Sequence, residues 1–228
     1  MFIWMINLLK KTVSRLIVLF CLATTVFASD SSSRLLYFFS TSCPHCKQTT
    51  PIVSELSKEF HVDGIFAGSG NPGPLPFPIR KVTKADKERY AIQGVPALIV
   101  QKDGKIKQVI SGERDIKASR TLIKGIEQGA LTVSEAVEGI SQGDVIITGF
   151  LLNRGAYFDK NAKFILTDRR KDIHVNPWLP LEAVKSKFKK TRPRLMSDVI
   201  GKPAVLKGKL VAIETGFQLT VKEEVIVE

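Results

Sequence analysis

Leu35-Leu36-Tyr37-Phe38-Phe39 is an unbroken apolar and aromatic run followed by Ser40 and Thr41. Its lack of alternation predicts a central strand buried on both faces. From Pro44 to Phe60 the period changes: Ile52, Val53, Leu56 and Phe60 recur at helical spacing, with Pro44 suited to a first turn and Pro51 placed to kink the interior. His61 to Ala67 reads as a second strand, and Gly68 to Pro78, with its four prolines, as a loop. Val82 to Ile92 predicts a short polar helix. Ala97 to Val100 and Lys105 to Ile110 form a hairpin about Asp103-Gly104, and Ile116 to Gln128 forms a helix that stops before Gly129. After Gly139 the texture becomes strand-like, with runs at Val145 to Leu152, Ala162 to Thr167, Asp172 to Val175, Ala204 to Ile213 and Phe217 to Val227. One helical stretch, Leu179 to Lys190, lies between the third and fourth of these runs. The change of texture places a domain boundary near Ser141.

The amino end departs from this soluble pattern. Met1 to Leu9 is apolar, Lys10, Lys11 and Arg15 follow, and Leu16 to Phe27 is again apolar but shorter than the ~20 residues a spanning helix needs. The small residues of Val26-Phe27-Ala28-Ser29 predict a signal peptide over 1–28, cleaved after Ala28. The alternative is an uncleaved anchor. Cleavage removes Cys21 and three basic residues and leaves two cysteines in a chain whose net charge, +12 over the full 228 residues, stays strongly positive. Export implies an oxidising compartment, the periplasm. A pair of cysteines three residues apart closes too small a loop to staple a fold there, so its purpose is expected to be chemical.

That pair is Cys43-Pro44-His45-Cys46, placed where the first strand hands over to a helix. In disulfide exchange the thiolate is the nucleophile, and a second thiol must stand close enough to resolve the mixed disulfide. A cysteine at a helix amino terminus faces unpaired N–H groups and the positive end of the helix dipole, both of which favour its anion. His45 is expected to add to this effect. The competing readings fit less well. Zinc would need two further ligands, and beyond the pair only His61 and His174 accompany His45. A c-type haem site would need His where Lys47 stands. A structural disulfide is the plain alternative, and redox exchange is ahead of it.

Cys43-Pro44-His45-Cys46-Lys47 with Pro51-Ile52, and Tyr90 to Val100 followed by Lys102-Asp103-Gly104 and Ser111-Gly112, resemble the two halves of the thioredoxin pattern at the expected separation. The resemblance covers about Arg34 to Gln128. It implies a thioredoxin fold, a cis proline at Pro96 beside the cysteines, and pairing of the Val95 backbone with an extended substrate chain. Cys43 and Cys46 would be catalytic, Pro44 and His45 would tune them, Val95 and Pro96 would bind substrate, and neither cofactor nor metal would be needed. Two departures stand out: Tyr37 replaces the family's buried acid six residues before the first cysteine, and Ser42 replaces an aromatic residue. The Pro-His dipeptide and Val95 are similar to periplasmic disulfide oxidases, while the Pro-rich stretch Asn71 to Pro78 resembles thioredoxin-like proteins of conjugative and type IV secretion systems.

The five later strand runs, with a helix between the third and fourth, resemble a small oligonucleotide/oligosaccharide-binding-type (OB-like) barrel. The expected fold class is therefore α/β, a thioredoxin-like domain over 29–140 followed by an OB-like β-barrel over 141–228. Lys185, Lys187, Lys189, Lys190, Arg192 and Arg194 are a dense basic run that could follow a phosphate backbone, with Phe158, Phe164 or Phe217 as stacking platforms. A solvated face or a protein partner is favoured over nucleic acid or anionic lipid. His174 and Trp178, near Pro177, read as packing residues. The expected function is an exported thiol–disulfide oxidoreductase that oxidises or isomerises disulfides in cysteine-containing clients and is reset by a membrane or periplasmic redox partner. The alternative is a binding or scaffold component of a secretion or conjugation machine.

Overall fold

The structure is a computed structural model that describes residues 32–139, 142–153, 164–176, 201–214 and 216–224. The expected signal peptide, the helical stretch Leu179 to Lys190, the basic run 185–194, Phe158, Pro177 and Trp178 lie outside the described residues.

β1 (Arg34–Phe39) carries the unbroken apolar run and is buried on both faces. Leu35, Tyr37 and Phe39 point into one core, with Val53 and Leu56 of α1 (Pro44–Leu56), while Leu36 and Phe38 point into a second layer with Tyr90. β2 (His61–Phe66) and β3 (Ile79–Lys81) follow, then α2 (Lys84–Tyr90) and the hairpin of β4 (Ala97–Lys102) and β5 (Lys105–Ser111). β1 and β2 are parallel, β4 runs antiparallel to β1, and the sheet order is β3-β2-β1-β4-β5 with β1 at its centre. This is the α/β arrangement that the resemblance implies. β3 was not expected. It is a three-residue edge strand that starts just after Pro78, too short to show a period of its own, and is held by pairing with β2.

The single helix expected over Ile116 to Gln128 is two, α3 (Glu113–Lys117) and α4 (Arg120–Glu127). Between them Ser119 is buried, and both its N–H and its hydroxyl donate to the Ile116 carbonyl. A serine bonded to nearby backbone competes with the helical ladder, and here it starts a new helix.

β6 (Leu131–Thr132) leads into α5 (Val133–Glu138), which is opened by a capping box of Thr132 and Glu135. The barrel follows: β7 (Gly143–Asn153), β8 (Phe164–Thr167), β9 (Asp172–Asn176), β10 (Pro203–Ile213) and β11 (Gly216–Glu224). The order β7-β8-β9-β11-β10 closes through an antiparallel β10–β7 pair, and β9 and β11 are parallel. This is the expected OB-like barrel. Between Lys207 and Gly208 the register with β11 shifts, and a Cβ at Gly208 would stand 2.3 Å from the Thr220 carbonyl oxygen, so only glycine fits that bulge. Val133 and Ala136 of α5 belong to the barrel core, alongside Ile147, Leu166 and Leu219. Phe164 and Phe217 pack against the same core, whereas His174 is exposed on β9 rather than packed.

The barrel rests directly on the first sheet's helices. Phe150 of β7 is buried in the core under β1, and Lys107 of β5 pairs with Glu135 of α5. Gly125 of α4 faces the barrel so closely that a Cβ there would be 2.7 Å from Cγ2 of Val205 and 3.2 Å from Oγ1 of Thr148. In an open helix Gly→Ala stabilises by about 1 kcal/mol. Overpacking at a closed contact costs about 1–3 kcal/mol. Gly125→Ala is therefore expected to lower stability, and urea unfolding that found a gain would show that this contact yields freely.

Candidate functional site

β1 ends at Phe39, and a short turn delivers Cys43 to the start of α1. Cys43 is the N-cap, with extended backbone, and its Sγ accepts from the Cys46 N–H at 3.2 Å. Pro44 occupies the first turn, where a missing N–H costs nothing. The thiol therefore sits at the positive end of the helix, half-buried at the surface. One turn on, Cys46 is 1% exposed and belongs to the core. Both thiols are free.

The environment separates the two sulfurs. Burial, and next the hydrogen bond to the Cys43 side chain, push the Cys46 thiol from an ordinary 9.0 up to about 12. Tyr37, in the position where the resemblance expects an acid, lies fully buried below the first turn. Its hydroxyl lies 2.7 Å from Oγ1 of Thr49 and 3.1 Å from Oγ1 of Thr50, and it donates to the Cys46 carbonyl at 3.3 Å. Thr50 donates to the same carbonyl at 2.7 Å. Burial raises the Tyr37 phenol above its ordinary value, against the opposing hydrogen bonds of the two threonines. A hydroxyl cluster thus stands where the resemblance places a carboxyl group. Ser42, in place of an aromatic residue, forms a hydroxyl pair with Ser40 at 2.9 Å.

Val95 and Pro96, joined by a cis peptide bond, lie opposite Cys43, whose Sγ donates to the Val95 carbonyl at 3.5 Å. The hairpin and α3 bring this loop against the cysteine helix. Beside it runs a groove of about 940 Å³ lined by Ile92, Val95, Pro96, His45, Glu113 and Arg114, among others. A smaller cavity of about 300 Å³ reaches Cys46 from the other side, between Lys47, Thr50, Pro72 and Leu75. Cys43, Cys46, Val95 and Pro96 are therefore gathered in one place, with Pro44 holding the turn.

His45 is turned outward. Its Nδ1 lies 2.8 Å from Oε2 of Glu113 at the start of α3. Lys117 donates to the same carboxylate and to Oε1 of Gln48. Lys117 foremost, and then His45, hold the Glu113 carboxyl below its ordinary value. Sequence reasoning missed Glu113 and Lys117 as part of the site. Their i, i+4 spacing was legible as a helix pair, but their approach to His45, across 68 positions of chain, arises only in the fold.

The raised Cys46 value has a signed consequence. An unfolded chain would ionise this thiol near 9.0 and the folded one near 12. Between those values the unfolded state binds fewer protons, so stability is whole below about pH 9 and falls as pH rises toward 12. Denaturation of the reduced protein from about pH 8 to about pH 11 is expected to show this loss, and Cys46→Ser to lessen it, leaving the part due to the raised Tyr37 phenol. Equal slopes in the two proteins would contradict the assignment.

A thioredoxin family model matches residues 23–127, ending before β6. The thioredoxin of Chlamydia caviae is 32% identical over 81 residues, covering 36% of this chain and 70% of that protein. Among solved structures, thioredoxin from Wuchereria bancrofti is 26% identical, with a TM-score of 0.29, over 34% of this chain and 69% of that one. StoA from Bacillus subtilis is 20% identical, with a TM-score of 0.30, over 38% and 78% respectively.

Proposed function

Because this chain belongs to the thioredoxin superfamily, whose chemistry is thiol–disulfide exchange, we propose that it oxidises or isomerises disulfides in exported client proteins through Cys43 and Cys46. The observation that carries the reading is the unequal placing of the two thiols. Cys43 caps α1 at the edge of a groove with its sulfur against the Val95 carbonyl, while Cys46 lies in the core beneath it.

In the oxidising direction the pair begins as a disulfide. A client thiolate attacks Sγ of Cys43, the Cys43–Cys46 bond breaks, and Cys46 leaves with the electron pair and takes a proton. A second client thiolate then attacks the client's own sulfur in the mixed disulfide and expels Cys43 as thiolate. Two electrons have moved from client to enzyme, and a membrane or periplasmic redox partner must remove them. In isomerisation the Cys43 thiolate attacks a client disulfide and Cys46 stands by to release a stalled intermediate. The helix terminus favours Cys43 as both entering and leaving group. The burial that holds Cys46 neutral keeps it from competing for clients. The Val95 backbone, at the rim of the groove, is suited to pair with an extended client segment.

Purified reduced and oxidised protein should catalyse insulin reduction or oxidation of a dithiol peptide. Cys43→Ser is expected to abolish turnover, and Cys46→Ser to accumulate mixed disulfides. Turnover equal to wild type in both variants would remove the redox role and leave the scaffold alternative.

Export through residues 1–28 belongs to the same proposal. Amino-terminal sequencing of the secreted protein is expected to start at Ser29, and a start at or before Lys10 would mean a retained anchor.

A further inference from the structure

We propose that the barrel is a working part of the redox site: its β8–β9 turn clamps α3 through Arg169 and Asp115, and thereby holds Glu113 on His45 beside Cys43. The proposal rests on the reading of Cys43 and Cys46 as the redox pair, and it makes Asp115, Arg169 and Glu113 positioning residues for that pair.

α3 cannot hold its own place. It has five residues, it is entered through Gly112 at φ 86°, and no side chain caps it. A helix this short has no independent stability, so its position is set by what its sides touch. Ile116 is fully buried in the core under β1. Glu113 reaches toward α1 and takes Nδ1 of His45 at 2.8 Å. Asp115 reaches the other way, into the barrel, where Nε and Nη2 of Arg169 both donate to its carboxylate at 2.8–3.1 Å. Such a fork of paired N–H groups fixes direction as well as distance.

Arg169 is itself aimed. Its guanidinium lies 4.9 Å from the ring centroid of Phe150, a residue buried in the first core. The turn that carries it is locked by Asp168, which is 2% exposed. One carboxylate oxygen of Asp168 accepts from the Arg170 and Lys171 N–H groups at 2.9 Å, and the other accepts from Ser134 N–H at 2.7 Å. The Asp168 carbonyl accepts from Nε2 of Gln108 on β5 at 2.8 Å. An Asp-centred turn of this kind leaves Arg169 one direction to point. The left-handed backbone of Arg169, φ 72°, belongs to the same turn. A continuous path of defined contacts therefore runs from barrel turn to α3 to the imidazole two residues from Cys43.

The consequence for the site is chemical. With the Glu113 carboxylate accepting from Nδ1–H, the neutral ring is fixed as one tautomer, and Nε2 is the nitrogen left as acceptor. Releasing Arg169 from Asp115 frees α3 to shift, and His45 then returns to a mixture of tautomers.

The test reads the ring nitrogens of His45 directly, in reduced full-length protein labelled with 15N-histidine at a pH where the ring is neutral, assigned against His61 and His174 by a His45 variant. Wild type is expected to give the Nδ1–H signature, and Glu113→Ala to lose it. Arg169→Gln and Asp115→Asn, each at the rim of the fold, are expected to lose it in part, and Glu113→Ala combined with Arg169→Gln to equal Glu113→Ala alone. A wild-type His45 spectrum in both Arg169→Gln and Asp115→Asn would overturn the proposal. So would a change that appears only together with loss of dispersed amide signals, because the contact would then merely hold the fold together. Exchange activity of wild type reads the underlying redox assignment separately: an inactive wild type whose His45 still responds to Arg169→Gln would sink the redox role and leave the clamp standing.

Discussion

Burial of β1 on both faces is the constraint from which the site follows. Five consecutive apolar and aromatic side chains leave no water-facing side, so the strand must take the middle of the sheet with helices above and below. Tyr37 and Phe39 stack with ring centroids 5.1 Å apart on one side, and Phe38 meets Tyr90 edge-on at 5.6 Å on the other. Once β1 is central, its carboxyl end is where the chain must turn into α1, and Cys43 is the residue that caps that helix. The same burial carries the Tyr37 hydroxyl beneath Cys46, where Thr49 and Thr50 satisfy it.

The two cysteines differ because one caps a helix at the surface and the other lies in the core. Cys43 stands at the cap, half-buried, with its sulfur accepting from the Cys46 N–H. One turn deeper, the loss of solvent disfavours the thiolate, and the Cys46 proton is held to about 12. A hydroxyl cluster rather than a carboxylate below the pair keeps this region uncharged. No buried charge then needs compensation, and the contrast between the two sulfurs rests on burial.

The barrel is joined to this site by the same kinds of contact that build it. Gly125 lets the Val205 side chain of β10 pack directly on the α4 backbone, Phe150 extends the first core into the barrel's first strand, and Asp168 ties the β8–β9 turn to β5 and α5. α3 lies between the two parts and faces both. The residues lining the groove beside Val95, Glu113 and Arg114 among them, are thus carried by an element whose outer side is held from the barrel through Asp115.

Local pattern determined a good deal here. The unbroken run at Leu35 to Phe39, the helical period from Pro44, the Asp103-Gly104 hairpin and the later strand-like runs are signals carried by residues close in sequence, and each formed an element of the type it predicted, although α1 stops at Leu56, short of the Phe60 to which the spacing runs. Cys43 at a strand-to-helix junction could be placed for the same reason. What local pattern lacked was any account of neighbours. β3 exists because β2 offers it an edge, and the break at Ser119 depends on a hydroxyl choosing a backbone partner that helical spacing leaves open. Phe164 and Phe217 are half-buried against the barrel core, and His174, which reads as a packing residue, is exposed. The partner of the His45 ring, Glu113, comes from 68 positions away. Only closure of the sheet and docking of the barrel bring those charges within reach, because a hydrogen bond is decided at about 3 Å in space and leaves no period along the chain.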